Sequence, residues 1–456
     1  DMRDKVPNAR SKQVKPTVFL DCHNLSRHST FFRAWRKGKF NMAIYGQTST
    51  PTNSFTNNVK VQVIASNVAD ARVFTKASVS KMSQADFAKK KYGNSYKLYI
   101  PGKPKLVNGV VADPSNVTEV ETEVFIDNDN VSEELGPFQR LGDIESFDDE
   151  VGQPMAEILA RGQEKKIVEK EIFKAAHGIV VAKTSAALDG ADFGNLSAAT
   201  AKLRKLALGS KLIGFLDPDV EAVITGKGLN KFQAPSDDFK RLYGENAIGR
   251  FGTAKFVESP DLPTIHIGTA YTGSITLGDA ILDADNVAQG FAEIKQISGT
   301  NLVKGAMFTV AGLKIVDESG IQTQVPFHII VTEVSDGGTK GKISPLRITL
   351  DGKAFGNPNA WVPAGTESLT LVAALSANTD YVIGEVRSED CLAYDTYQFD
   401  VLPGSQDEFV STVGGSSIKM RIFGDGTNLN KLYRLDSTYA AALYEPREAV
   451  VLYFEA

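Results

Sequence analysis

The sequence predicts an α+β protein with an inserted all-β block, on three observations. Residues 149–177, "DEVGQPMAEILARGQEKKIVEKEIFKAAH", carry apolar side chains at helical spacing. "KLIGFLDPDVEAVITG" reads as a strand, an Asp217-Pro218 break and a helix opening at the proline. From about residue 274 the texture changes to short β runs separated by turn signals.

Composition sets the frame. The chain has 456 residues, 42% hydrophobic and 23% charged, enough for two or three cores. It has no apolar run near the ~18 residues a membrane helix needs. Cys22 and Cys391 lie far apart and outside any CxxC pair, so neither a disulfide framework nor a zinc site is expected. Residues 1–40 hold ten Lys/Arg against three Asp, whereas the remainder holds 40 basic and 52 acidic residues. Lys37-Gly38-Lys39 back-translates to a purine-rich stretch just before Met42. Residues 1–41 are therefore expected to be translated leader, with a basic arm or a processing product as alternatives.

Each element follows in order. Residues 42–92 read as a polar extended arm with a short strand "VKVQVIA" and a helix near 83–90. Residues 95–127 alternate at Tyr96, Leu98 and Ile100, and again around Val124 and Ile126, about a middle rich in proline and glycine. This predicts a long two-stranded excursion with little core of its own, which must lie on something else. The helix over 149–177 carries a stripe of Met155, Ile158, Leu159, Gly162, Val168, Ile172, Phe173 and Ala176. His177 is read at its C-terminal end, where the helix dipole favours a cation. A second helix spans 197–208. "IGRFGTAKFVESPDLPTIHIG" (248–268) is cut into short strands and turns by Gly249, Gly252, Pro260 and Pro263. A small β-barrel or sandwich is expected over roughly 274–381, and a mixed pattern from Ser388 to the end.

The search for chemistry finds no enzyme. Asp192-Phe193-Gly194 has no accompanying nucleotide loop, and "GKGLNK" lacks phosphate-loop spacing. "DNDNVSEE" at Asp127 lacks the glycine and glutamate of a calcium loop. His23, His28, His177, His266 and His328 form no metal-ligand pair, and Trp35 and Trp361 are isolated. No catalytic residue, cofactor or metal is expected, and His266 and His328 read as packed or exposed singletons within strands.

The order of elements resembles the major capsid proteins of tailed bacteriophages, with the Johnson or Hong Kong ninety-seven type fold shared by encapsulins. Three stretches are most similar to the Salmonella-podophage type, which carries an inserted β-barrel. They are "LIGFLDPDVEAVITGKGLNKF", with Asp217 where asparagine is usual; "LYGENAIGRFGTAKFVESPDLPTI", matched at Gly249, Arg250, Phe251, Gly252, Ser259, Pro260, Leu262 and Pro263; and "LVKGAMFTVAGLKIV", matched at Lys304, Gly305, Phe308, Ala311 and Gly312. The closing "LYEPREAVVLYFEA" also resembles the family, with Pro446-Arg447 in reversed order.

The resemblance implies an N-terminal arm (42–92), an extended loop (93–130), a spine helix and peripheral domain (131–273), an inserted barrel (274–385) and an axial domain (386–456). It implies a shell subunit of a virion capsid, assembled in the bacterial host cytoplasm around double-stranded DNA held only loosely. The partners implied are copies of itself in hexamers and pentamers, a scaffolding protein and a portal protein, with a decoration protein left open and no membrane. Lys97, Lys103 and Lys105 would lie on the intersubunit loop; the lysine–asparagine crosslink of some relatives is not expected. Removing residues 97–122 should leave a folded subunit that assembles poorly. The alternatives are an encapsulin-type compartment and a β-rich binding protein.

Overall fold

A computed structural model describes residues 54–81, 95–101, 119–135, 151–205, 211–231, 249–251, 253–268, 275–277, 293–296, 302–316, 322–343, 368–372, 375–397, 407–413, 415–424 and 431–456, which form one compact unit. The expected leader, the helix near 83–90, Lys103, Lys105, Gly252, Trp35 and Trp361 lie outside these residues.

Helix α1 (Ser54–Ala71) replaces the strand expected at "VKVQVIA". The β-branched run suggested a strand, but the buried residues are Val61, Ile64, Ala65 and Val68. That is the i, i+3, i+4, i+7 pattern of one helix face, and tertiary packing overrides the strand propensity. Strands β1 (Ser95–Pro101) and β2 (Glu119–Leu135) form the expected antiparallel excursion, with Ser95 opposite Phe125 and Pro101 opposite Glu119.

Helix α2 (Gln153–Glu171) is shorter than the sequence suggested. It passes through a 3-10 turn at Ile172–Lys174 into strand β3 (His177–Val181). The run "HGIVV" follows the helix without a gap, but it pairs in parallel with the C-terminal strand, and that pairing ends the helix. His177 therefore opens a strand and is fully buried, so the helix-end reading is corrected. The stripe is corrected too: Ile158 is 61% exposed, and Gln163 and Glu164 occupy the buried face instead.

Helix α3 (Phe193–Lys205) buries Leu196, Ala199, Thr200 and Leu203 at helical spacing. Asp192 caps it, its Oδ1 accepting from Asn195 N at 3.0 Å, so the kinase-like tripeptide is a helix start. Strand β4 (Leu212–Leu216) is buried throughout. Helix α4 (Pro218–Lys231) opens at its proline, with Asp217 Oδ1 accepting from Asp219 N at 2.9 Å. Short strands follow as β5 (Arg250–Phe251), β6 (Ala254–Glu258) and β7 (Thr264–Ile267).

Strands β8 (Ile275–Leu277), β9 (Glu293–Gln296), β10 (Met307–Val316), β11 (Gln322–Ser335), β12 (Lys340–Ile343) and β13 (Leu369–Leu371) make a sheet of their own, ordered β13-β10-β11-β12-β9-β8. A bridge between Thr276 and Ser368 joins the two ends, so the sheet curls into a six-stranded barrel. Strands β14 (Thr379–Ser388), β15 (Leu392–Tyr397), β16 (Asp407–Val413), β17 (Ser416–Gly424), β18 (Lys431–Leu443) and β19 (Ala449–Glu455) complete the chain. Where a mixed C-terminal pattern was expected, the described residues from Leu392 onward hold strands and one 3-10 turn.

The remaining strands form two sheets. One runs β1-β2-β18-β17-β16 with β15 also on β18; the other runs β3-β19-β14-β4-β6-β5 with β7 on β14. Each therefore combines early and late parts of the chain. Strand β19 shows why such strands are buried throughout. Val450, Leu452 and Phe454 face the core beneath α3 and α4, whereas Ala449, Val451 and Tyr453 face a core shared with the barrel. Period-two alternation places both sets at once, with helices on one face and the barrel on the other. A third core joins α1 and α2 to β16, β17 and β18.

Candidate assembly surface and its anchors

The segment that leaves α1 and leads toward the β1–β2 ladder is held by buried charge from two directions. From α2, the Glu164 carboxylate accepts the N–H groups of Val73 (3.3 Å), Phe74 (2.6 Å) and Thr75 (3.0 Å), and also the Thr75 hydroxyl. Arg72 donates to Gln163 Oε1 at 2.8 Å. From β14, Arg387 donates to the carbonyls of Phe74 (2.7 Å) and Ala77 (3.0 Å) and to Glu385 Oε2 at 2.9 Å. Its guanidinium lies 3.9 Å from the Phe74 ring centre and 4.7 Å from that of Phe215. Burial pushes the Glu385 carboxyl upward, against the pull of Arg387. Further on, Val79 exchanges backbone hydrogen bonds with Leu392 and Tyr394 at 2.9 and 3.0 Å. Asp395 then takes Ser80 Oγ at 2.6 Å and the Tyr96 hydroxyl at 3.2 Å, tying segment, β15 and β1 together.

The ladder has a dry base and a wet outer side. Tyr96, Leu98 and Val124 pack with Ala393, Tyr397, Ala440 and Ala442, and the Tyr96 and Tyr397 rings meet edge-on at 6.2 Å. Beyond its pairing with β1, strand β2 runs along β18 from Ala440 opposite Ile126 to Lys431 opposite Leu135. The base of the excursion thus packs on this chain's own sheet. On the outer side, Lys166 of α2 pairs with Asp129, and Lys170 with Asp127 at 3.5 Å. Lys170 also lies 5.9 Å from the ring centre of Phe125, which is 45% exposed. Lys97 is exposed on β1, opposite Glu123 in the register.

Gly249 has φ of +64°, a left-handed conformation open to glycine, and its carbonyl accepts from Phe256 N at 2.6 Å. Pro260 follows Ser259, whose N–H donates to Leu216 O at 2.8 Å; the Pro263 carbonyl accepts from Ile383 N at 3.2 Å. The stretch thus pairs first with β4 and then with β14, two strands that are themselves neighbours. His266 is exposed, its Nδ1 2.6 Å from Asp380 Oδ1. His328 is buried in β11.

The clasp residues Glu164, Arg387 and Asp395 were not singled out from sequence, although a signal existed. Glu164 falls on the apolar side of a helical repeat, and Arg387 interrupts the strand run "YVIGEVRS". Among the described residues, no group of three or more His, Cys, Asp or Glu side chains is placed to hold a metal ion, and no helix is long and apolar enough to cross a membrane.

No protein-family model matches the sequence, and no curated protein matches it. Solved structures do match. A chain of Mycobacterium phage Che8 aligns at 11% identity and TM-score 0.41, over 84% of this chain and 90% of that one. The capsid of cyanophage P-SCSP1u aligns at 10% identity and TM-score 0.42, over 84% and 88%. A virus-like particle from Pyrococcus furiosus aligns at 8% identity and TM-score 0.36, over 86% and 97%. These are loose likenesses, and no residue role transfers from them.

Proposed function

We propose that the chain is a structural shell subunit of the tailed-phage capsid type, without catalytic activity. Copies assemble as hexamers and pentamers into an icosahedral container for double-stranded DNA, with scaffolding and portal proteins as partners. The observation that carries this reading is the β1–β2 ladder. Its base is fixed in the chain's own sheet, yet its strands run on to a 17-residue connection, 102–118, and its outer side is charged. The element order supports the same reading: ladder, long helix, strand-Pro-helix, glycine-turned β segment, barrel, terminal strands. Such a subunit distributes its binding energy over large obligate interfaces, roughly thousands of Å² per copy.

Electron microscopy of the full chain, expressed with and without its scaffolding protein, tests the proposal. Closed shells are expected; a stable monomer under every condition overturns it. Shells filled with protein cargo in place of DNA would reassign it to a compartment of the encapsulin type. The deletion test follows from the register. Removing 97–122 would strip Leu98 from a buried cluster, whereas replacing 102–118 with a tight turn keeps all seven β1–β2 pairs. That variant should fold as the parent does and lose most of its assembly yield. Parental yields would remove the ladder from the interface.

A further inference from the structure

The barrel meets the seven-stranded sheet at a seat built around Gly178, where the buried His328 of β11 lies. A Cβ at Gly178 would collide with Met307 Sδ from β10 and lie 3.2 Å from the Tyr453 ring, so any side chain there would have to displace the Met307 thioether. The Gly178 N–H donates to His328 Nδ1 of the barrel at 3.1 Å, and the Tyr453 hydroxyl donates to Gly305 O at 2.9 Å. One residue earlier, and so on the opposite, helix-covered face of the sheet, the His177 ring nitrogen Nε2 donates to Arg447 O at 3.1 Å. Lys202 reaches in from α3 and donates to Gly178 O at 3.0 Å.

These bonds fix both tautomers. His328 Nδ1 must be an acceptor, so its proton sits on Nε2. His177 donates from Nε2, so its Nδ1 is bare, buried and without a hydrogen-bond partner. Protonation would turn His328 Nδ1 into a donor facing the Gly178 N–H, which breaks the bond between barrel and sheet. The charges bearing on His177 are Lys202, His328 and Arg447, all cationic or able to become so, while the charge bearing on His328 is Lys202. Arg447 is paired with Glu445 at 2.9 Å.

We propose that His328 forms an acid-released latch: the barrel stays seated on the sheet while this ring is neutral, and acid unseats it before the sheet unfolds. The inference rests on packing within one subunit and stands independently of shell assembly.

The electrostatics agree in sign. Burial, reinforced by Lys202, holds His328 at about 3 and His177 well below its ordinary 6.5. Burial also lowers Lys202 to about 8, so it is charged when the histidines begin to titrate. Seat stability is therefore complete above about pH 6.5 and falls as pH drops toward the folded-state values.

Native-state hydrogen exchange of the full-length chain between pH 7 and 4, corrected for intrinsic rates, tests this. A histidine that gains a proton on opening raises the opening constant about tenfold per pH unit, so β10 and β11 should open about tenfold more per unit. Strands β14 and β19 should stay protected. His328→Asn puts an amide oxygen close to the place of Nδ1 as an acceptor for the Gly178 N–H but cannot be protonated; its slope should drop by about tenfold per pH unit. A flat profile in the parent, an unchanged slope in His328→Asn, or loss of the sheet together with the barrel overturns the proposal. Should the variant fail to fold, the imidazole resonances of the parent decide. A His328 that titrates near 6.5 with the barrel still protected overturns the latch, and titration coincident with barrel opening supports it.

Discussion

The segment at 72–79 and the β1–β2 ladder are neighbours in the chain and use the same residue types, yet charge acts in opposite ways in them. In the segment, Glu164 and Arg387 are buried at 1% and 0% exposure and serve as partners for backbone N–H and C=O groups that water cannot reach. On the outer side of the ladder, Lys166 of α2 is 63% exposed, and solvent competes with it for Asp129. The difference shows that a buried charge can organise an irregular segment much as a sheet ladder organises a strand. An exposed charge chiefly sets the character of a surface.

The comparison can be tested from its strong side to its weak side. Arg387→Met should cost about 3–5 kcal/mol in denaturant unfolding, because it strands the Glu385 carboxylate and two carbonyls. Adding Glu385→Gln should recover part of that loss by removing the stranded charge. Glu164→Gln keeps one acceptor oxygen and should cost about 2–3 kcal/mol. Lys166→Ala and Lys170→Ala should each stay within about 1 kcal/mol and fade with added salt. If the lysine variants cost as much as Arg387→Met, the distinction between the two regions fails.

Much of the fold was legible because local signals agreed with the final packing. The proline at 218 with an acid before it, the alternation at Tyr96 and Leu98, and the turn signals around the barrel strands each act over a few residues. The misreadings share one cause. Val61, Ile64, Ala65 and Val68 fit both a strand-prone composition and a helix face, and only contact with α2 and β16 decides between them. His177 fits a helix end as well as a strand start until β19 supplies its parallel partner. The clasp stayed hidden because Glu164 and Arg387 lie 223 residues apart, joined only through a segment that neither neighbours in sequence.

The sequence by itself determined the α+β character, the long helix, the excursion, the helix that opens at Pro218 and the β texture after residue 274, all consequences of spacing and turn chemistry. Tertiary structure alone decided where α2 stops, which strands combine the two ends of the chain into shared sheets, and which charges are buried. Those outcomes depend on partners distant in the chain, and a neutral imidazole or a desolvated carboxylate exists only once such partners have closed around it.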